Sequence, residues 1–140
     1  KPRQRSKALT QLFDLYPTIV EAVGGKLSPG HSAVSLLPVA TGKTDSVRDA
    51  AFSEISHRGQ FDYMIRTGTF KWFRKQGREY LFNMIKDPFE MNDLINSSAH
   101  RDVVAKLKQR HYQYLLERHY DYSANYLPLV QRTREQQKSN

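Results

Sequence analysis

At 140 residues the chain is the size of one modest domain, long enough to bury a core of its own. It contains no cysteine, which excludes disulfides, cysteine-ligated zinc and a cysteine nucleophile within these residues. Lys and Arg total 22 against 14 Asp and Glu, a formal net charge of +8 that attracts polyanions such as nucleic acid, sulfated polysaccharide or acidic lipid. Much of that excess is explained more simply by two exposed basic ends, residues 1–7 and 132–138. No apolar run is long enough for a transmembrane helix, and no signal peptide is visible. The polar opening Lys1-Pro2-Arg3-Gln4-Arg5 is expected for a loop entered mid-chain, in a piece of a longer protein.

In chain order, Leu12, Leu15, Tyr16, Ile19, Val20 and Val23 recur at helical spacing. Pro17 fits the first turn, Asp14 is positioned as N-cap, and Gly24-Gly25 provides the stop. Residues 26–48 read as a connector broken by Pro29, Gly30, Pro38 and Gly42, with Val34–Val39 too short for an independent helix. From Ala50 onward the composition turns aromatic and β-branched. Strands are expected at Ala51–Ile55, Tyr63–Thr67, Thr69–Phe73 and Tyr80–Met84, separated by Gly68 and Gln76-Gly77. Phe70, Trp72 and Arg74 would share one face, and Lys71 and Phe73 the other. Asp87-Pro88 opens a turn running to Leu94, with Asp87 and Asn92 able to bind nearby amides. Ser97 or Ser98 can cap the following helix. Val103, Val104, Leu107, His111, Tyr114 and Leu115 mark that helix's apolar face, and it ends near His119–Tyr122. Residues 123–140 are expected to be an extended or flexible tail.

These elements define an α+β fold: a small antiparallel sheet of three to four strands packed against a long C-terminal helix, preceded by a shorter helix.

The search for chemistry finds little that is self-contained. His111 and His119 share a helical face but sit about 12 Å apart, too far to hold one metal. His111 lies on the apolar stripe and reads as a core histidine. Thr41-Gly42-Lys43-Thr44 resembles the end of a P-loop, but Leu37 stands where the upstream glycine is required. Phe70-Lys71-Trp72-Phe73-Arg74-Lys75 mixes rings and cations as single-strand binders do, yet a half-buried strand with a basic face explains it with fewer assumptions. His57 and Arg58, in the loop expected after the first strand, could reach an anionic ligand; the plainer reading is a solvated hairpin loop.

Taken in order, six landmarks resemble the C-terminal part of the sulfatase family, within the alkaline-phosphatase-like superfamily. Asp14-Leu15-Tyr16-Pro17-Thr18-Ile19 with Gly24 resembles the family's Asp-x-x-Pro-Thr-Ile helix. Ser35-Leu36-Leu37-Pro38 with Gly42 resembles its connector, and Arg48-Asp49 with Phe52-Ser53-Glu54 its first C-terminal strand. Met64–Trp72 resembles the Arg-x-Gly-x-Tyr-Lys hairpin, Glu79–Asn83 the strand after it, and Asp87–Leu94 the Asp-Pro-x-Glu-x-x-Asn-Leu turn. Each is weak alone; their order and spacing are specific.

The resemblance implies that residues 1–45 are the end of an α/β catalytic domain, including the helix at its edge. Residues 46–122 would then be the sulfatase C-terminal subdomain, and 123–140 a tail. It implies hydrolysis of sulfate esters or sulfamates, with this part giving structural closure and part of the substrate pocket, inactive alone. The catalytic residues would lie elsewhere: a formylglycine made from a Cys- or Ser-x-Pro-x-Arg motif, and a calcium ion, both in the upstream catalytic domain. No catalytic or metal residue is assigned here, and His57 and Arg58 are the candidates for the pocket wall. The implied partners are that upstream domain and a sulfated substrate, a sulfated carbohydrate among the candidates, with no membrane and with nucleic acid disfavoured. The implied location is secreted, periplasmic or lysosomal. The competing reading is a stand-alone basic module that binds sulfated polysaccharide or nucleic acid.

Overall fold

The computed structural model describes residues 5–28, 32–57 and 60–121. A 3-10 turn at Leu12–Asp14 runs directly into helix α1 (Leu15–Ala22). Pro17 lies in the first turn of α1, where its missing N–H leaves no hydrogen bond unmade, and it is fully buried. Gly24 adopts φ +74°, the left-handed conformation that ends the helix without a Cβ clash. Helix α2 (Leu37–Ala40) is a single turn with Pro38 near its start, so the connector acquires no longer element.

Four strands follow: β1 (Ala50–His57), β2 (Gln60–Thr67), β3 (Phe70–Lys75) and β4 (Arg78–Asn83). They pair antiparallel in the order β1-β2-β3-β4, a meander. Gln76 (φ +50°) and Gly77 (φ +80°) both take positive φ between β3 and β4. That geometry is the one whose twist matches paired strands in a two-residue hairpin. Helix α3 (Arg101–Asp121), entered through a 3-10 turn at Ser98–His100, lies across the sheet and touches β2 and β3. Residues 123–140, read as a tail, lie outside the described residues.

Strand alternation decides the two faces. Ile65 pairs with Phe52 and Trp72, and Trp72 with Leu81, so these side chains stack in one row beneath α3. Ile65, Trp72 and Leu81 form the buried core with Ala50 and Leu107, and Phe52, Tyr63, Phe70, Leu94, Ile95, Val103 and Val104 extend it. On the opposite face Phe73 stacks on Tyr80 at 4.8 Å, and the Lys71 Nζ donates to Glu90 Oε1 at 2.7 Å.

Both outer strands have a backbone group engaged from outside the sheet. On β1 the Phe52 N–H donates to the Gln11 side-chain carbonyl. On β4 the Leu81 N–H donates to Asp93 Oδ1 at 3.0 Å, and the Leu81 carbonyl accepts from the Leu94 N–H at 2.8 Å.

Two capping expectations are corrected. Asp14 does not cap α1: its backbone is helical (φ −66°, ψ −16°) and its side chain makes no cap bond. The chain enters through a 3-10 turn that carries the carboxylate inward, where stronger partners are available. Ser97 precedes the second 3-10 turn but its hydroxyl pairs with His100 Nδ1 at 2.8 Å instead of a backbone amide.

Candidate functional site

The most concentrated polar arrangement joins the first segment to the sheet. Asp14 is completely buried. Its Oδ2 accepts from the Gln11 N–H at 2.8 Å, and its Oδ1 accepts from the Val34 N–H at 3.0 Å and from the Arg48 guanidinium. A buried carboxylate needs such neutralisation, because an unpaired one would be expelled or protonated. Thr18 continues the network: its hydroxyl donates to the Asp14 carbonyl at 2.6 Å and accepts from the Leu36 N–H at 2.8 Å. The Arg48 guanidinium also lies 5.7 Å from the Phe13 ring centre. Residues from α1, the connector and the approach to β1 thus converge on one carboxylate. Sequence reading missed this cluster, since nothing in local spacing links Asp14 to a cation 34 residues away.

Beside this latch the first segment exposes apolar side chains. Leu12 is 84% exposed, Ile19 62% and Val23 78%, with Leu15 and Tyr16 about half exposed. The helical periodicity that predicted α1 is therefore real, but its stripe faces away from the described core. Such a stripe of exposed apolar side chains makes α1 a candidate contact surface.

His57 ends β1 opposite Gln60. Its side chain, like the whole of Arg58, lies outside the described residues. Among the described residues no group of three or more His, Asp or Glu side chains is placed to hold a metal ion.

The turn after β4 is held by its acids. Asp87 accepts from the Met91 N–H at 3.1 Å and from the Asn92 N–H at 2.8 Å, and Asn83 from the Ile85 and Lys86 amides at 3.1 Å each. Glu90, at φ +58°, is kept in a left-handed conformation while it pairs with Lys71. These contacts make the Asp87–Leu94 landmark a scaffold device.

His111 is a core histidine, as its place on the stripe predicts: it is 3% exposed. Burial holds its pKa below the ordinary histidine value, against a smaller opposing pull from the Glu54 carboxylate. At the helix surface Arg110 bonds to Asp49, and that hydrogen bond holds the Asp49 carboxyl below its usual range.

The chain is thus a four-stranded meander under one long helix, latched to a preceding helix whose apolar face is exposed. Residues 1–117 match the family described as N-sulphoglucosamine sulphohydrolase, C-terminal. The chain belongs to that family. It is 27% identical over 101 residues to an arylsulfatase of Clostridium perfringens, a match covering 71% of this chain and 21% of that protein. Its fold is similar to that of BT1596, a 2-O GAG sulfatase, with a TM-score of 0.68 and 22% identity over 79% of this chain and 26% of the other. It is also similar to BT4656, solved in complex with its substrate D-glucosamine-2-N,6-O-disulfate, with a TM-score of 0.62 and 23% identity over 81% of this chain and 24% of the other. The chain thus spans only about a fifth to a quarter of the length of these relatives.

Proposed function

We propose that this chain closes the catalytic domain of a sulfatase acting on sulfate esters or sulfamates, and that it turns over no substrate alone. The observation that carries this reading is the exposed apolar stripe of α1, tied rigidly to the sheet through Asp14 and Arg48. Full burial of a leucine or isoleucine side chain contributes about 1.5–3 kcal/mol, so covering Leu12, Leu15, Ile19 and Val23 would favour docking by several kcal/mol. The occupant is the upstream catalytic portion of the same polypeptide. Residues 1–45 then form the end of that portion, 46–122 the C-terminal subdomain, and 123–140 the tail.

The nucleophile, a formylglycine, and the calcium ion that would polarise the sulfate are assigned to the upstream portion. The family match, which is to a C-terminal region, supports the existence of such an upstream portion. His57 and Arg58 are assigned to the wall of the substrate pocket, where a guanidinium suits a sulfate oxygen pair. A sulfated carbohydrate is the proposed substrate class, supported by the glycosaminoglycan and glucosamine sulfates that the similar structures act on or hold. A secreted, periplasmic or lysosomal location accords with such a substrate.

The test is reconstitution. The chain is produced alone and together with a separately expressed upstream portion of the same gene, and hydrolysis of an aryl sulfate and of a sulfated glucosamine is followed. Activity should appear only in the mixture. Turnover by the chain alone at a rate comparable to the mixture would overturn the reading.

A further inference from the structure

Among the described side chains of α3, His111 is the one whose ring contacts aromatic residues of three strands. Its ring centre lies 6.1 Å from Phe52 of β1, 4.7 Å from Tyr63 of β2 and 6.0 Å from Trp72 of β3. Tyr114, one helical turn on, adds a fourth ring at 6.4 Å and itself stacks on Phe52 at 3.9 Å. The imidazole Nε2 is buried without a hydrogen-bond partner among the described residues, and so is the neighbouring Trp72 Nε1. Neutral imidazole tolerates this box. Imidazolium would bring a second N–H donor and a full charge into a site with no acceptor for the Nε2 proton.

Aromatic faces can stabilise a cation, but the rings of this box are already used that way. The Arg74 guanidinium, from β3, lies 5.9 Å from the Tyr63 ring centre. On α3, Lys108 Nζ lies 5.7 Å from the Trp72 ring centre and the Arg118 guanidinium 5.5 Å from that of Tyr114. Three cations therefore ring the box, one of them, Lys108, paired with Glu79 of β4 at 2.6 Å, and a further carboxylate, Glu54 of β1, acts on His111. Tyr63 and Tyr114 are the other titratable groups on its walls.

We propose that His111 is an acid-sensitive clasp: neutral, it fastens α3 to β1, β2 and β3, and when it takes a proton α3 is released from the sheet. The sign follows from linkage. The folded chain resists protonation of His111 more than the unfolded chain does, as its lowered pKa indicates. The open state therefore binds the proton first, and stability falls as pH drops below the ordinary histidine value near 6.5. For one such group, opening grows by up to about tenfold per pH unit until the folded pKa is passed.

Trp72 is the only tryptophan in the chain and touches His111 edge-on, so its fluorescence reports this site. The experiment titrates the full chain from about pH 7.5 to about pH 5, across the histidine range. It follows Trp72 emission and the hydrogen exchange of amides in α3 and β2, each exchange rate taken relative to the intrinsic amide rate at the same pH, which itself falls as the solution is acidified. In the native chain a reversible red shift should accompany exchange that quickens by up to about tenfold per pH unit. His111→Phe, which keeps a ring and loses the proton site, should show neither change. A native chain with flat emission and exchange, or a His111→Phe chain that follows the native one, would overturn the proposal. If His111→Phe does not fold, NMR titration of the native His111 ring decides. A midpoint below 6.5 that tracks the exchange supports the clasp, and one at or above 6.5 sinks it.

Discussion

Asp14 and Arg48 stand 34 residues apart, yet they form a buried ion pair that fixes α1 against the approach to β1. The carboxylate is fully enclosed and the guanidinium is 11% exposed, so neither charge can fall back on water when the other is removed. Arg48→Met should therefore destabilise the chain by roughly 3–5 kcal/mol, the cost of stranding a buried charge. Denaturant titration measures it. A loss under about 1 kcal/mol, the range of surface pairs, would mean that the pair is solvated in solution.

The apolar stripe of α1 predicts the opposite pattern. Leu12→Ser or Ile19→Ser removes a side chain that is already more than half exposed, so the chain's own stability should shift by no more than about 0.5 kcal/mol. Reconstituted hydrolysis should instead drop at least tenfold as docking to the upstream portion weakens. Equal losses in stability and in reconstitution would show that the stripe packs within this chain.

The β3–β4 turn carries a residue that fits its geometry poorly. Gln76 takes φ +50°, where asparagine is better tolerated, while Gly77 at φ +80° already suits the turn. Gln76→Asn should raise stability by a few tenths to about 1 kcal/mol, and Gly77→Ala should lower it by about 1 kcal/mol or more. Thermal unfolding of the two variants gives the comparison. A Gly77→Ala chain as stable as the native one would contradict the left-handed turn.

Asp49 offers a pH-dependent readout. Its hydrogen bond from Arg110 is the main reason its carboxyl titrates below the ordinary aspartate value of 3.8. A depressed carboxyl pKa contributes stability that is present above the unfolded value and lost as pH falls through the folded one. Because Asp49 is mostly exposed, the gain is small and screened by salt. In Arg110→Ala the Asp49 titration followed by NMR should move up toward 3.8. An unchanged midpoint would separate the two groups in solution.

The sheet was legible because strand alternation is a strong signal. Phe70 and Trp72 were placed on one face and Lys71 and Phe73 on the other, and the register confirms both sets through partners such as Leu81 and Tyr80. The extent of α3 and the burial of His111 followed from helical period alone. What periodicity could not give was the direction of α1's stripe, since a helix whose apolar face is exposed has the same period as one that faces its own core. Nor could it give Asp14's role: an acid at a helix start reads as a cap whatever lies opposite it in space. His57 and Arg58 were singled out by residue type in a loop, a weaker signal than geometry. Of the two, the structure gives only the backbone place of His57 at the end of β1.

The side-chain carbonyl of Gln11 on β1, and Asp93 with the Leu94 amide on β4, have a consequence for handling the protein. A sheet whose flanks stay open recruits further strands from its neighbours, and concentrated solutions of such domains polymerise edge to edge. Here each flank carries a plug drawn from the same chain. The plug on β4 depends only on residues within the C-terminal part, so it persists when that part is handled apart from the first segment. The plug on β1 does not, because Gln11 lies before α1. Trimming the chain ahead of the sheet would therefore bare one margin and leave the other sealed, and the stacks that followed would grow in pairs that stop.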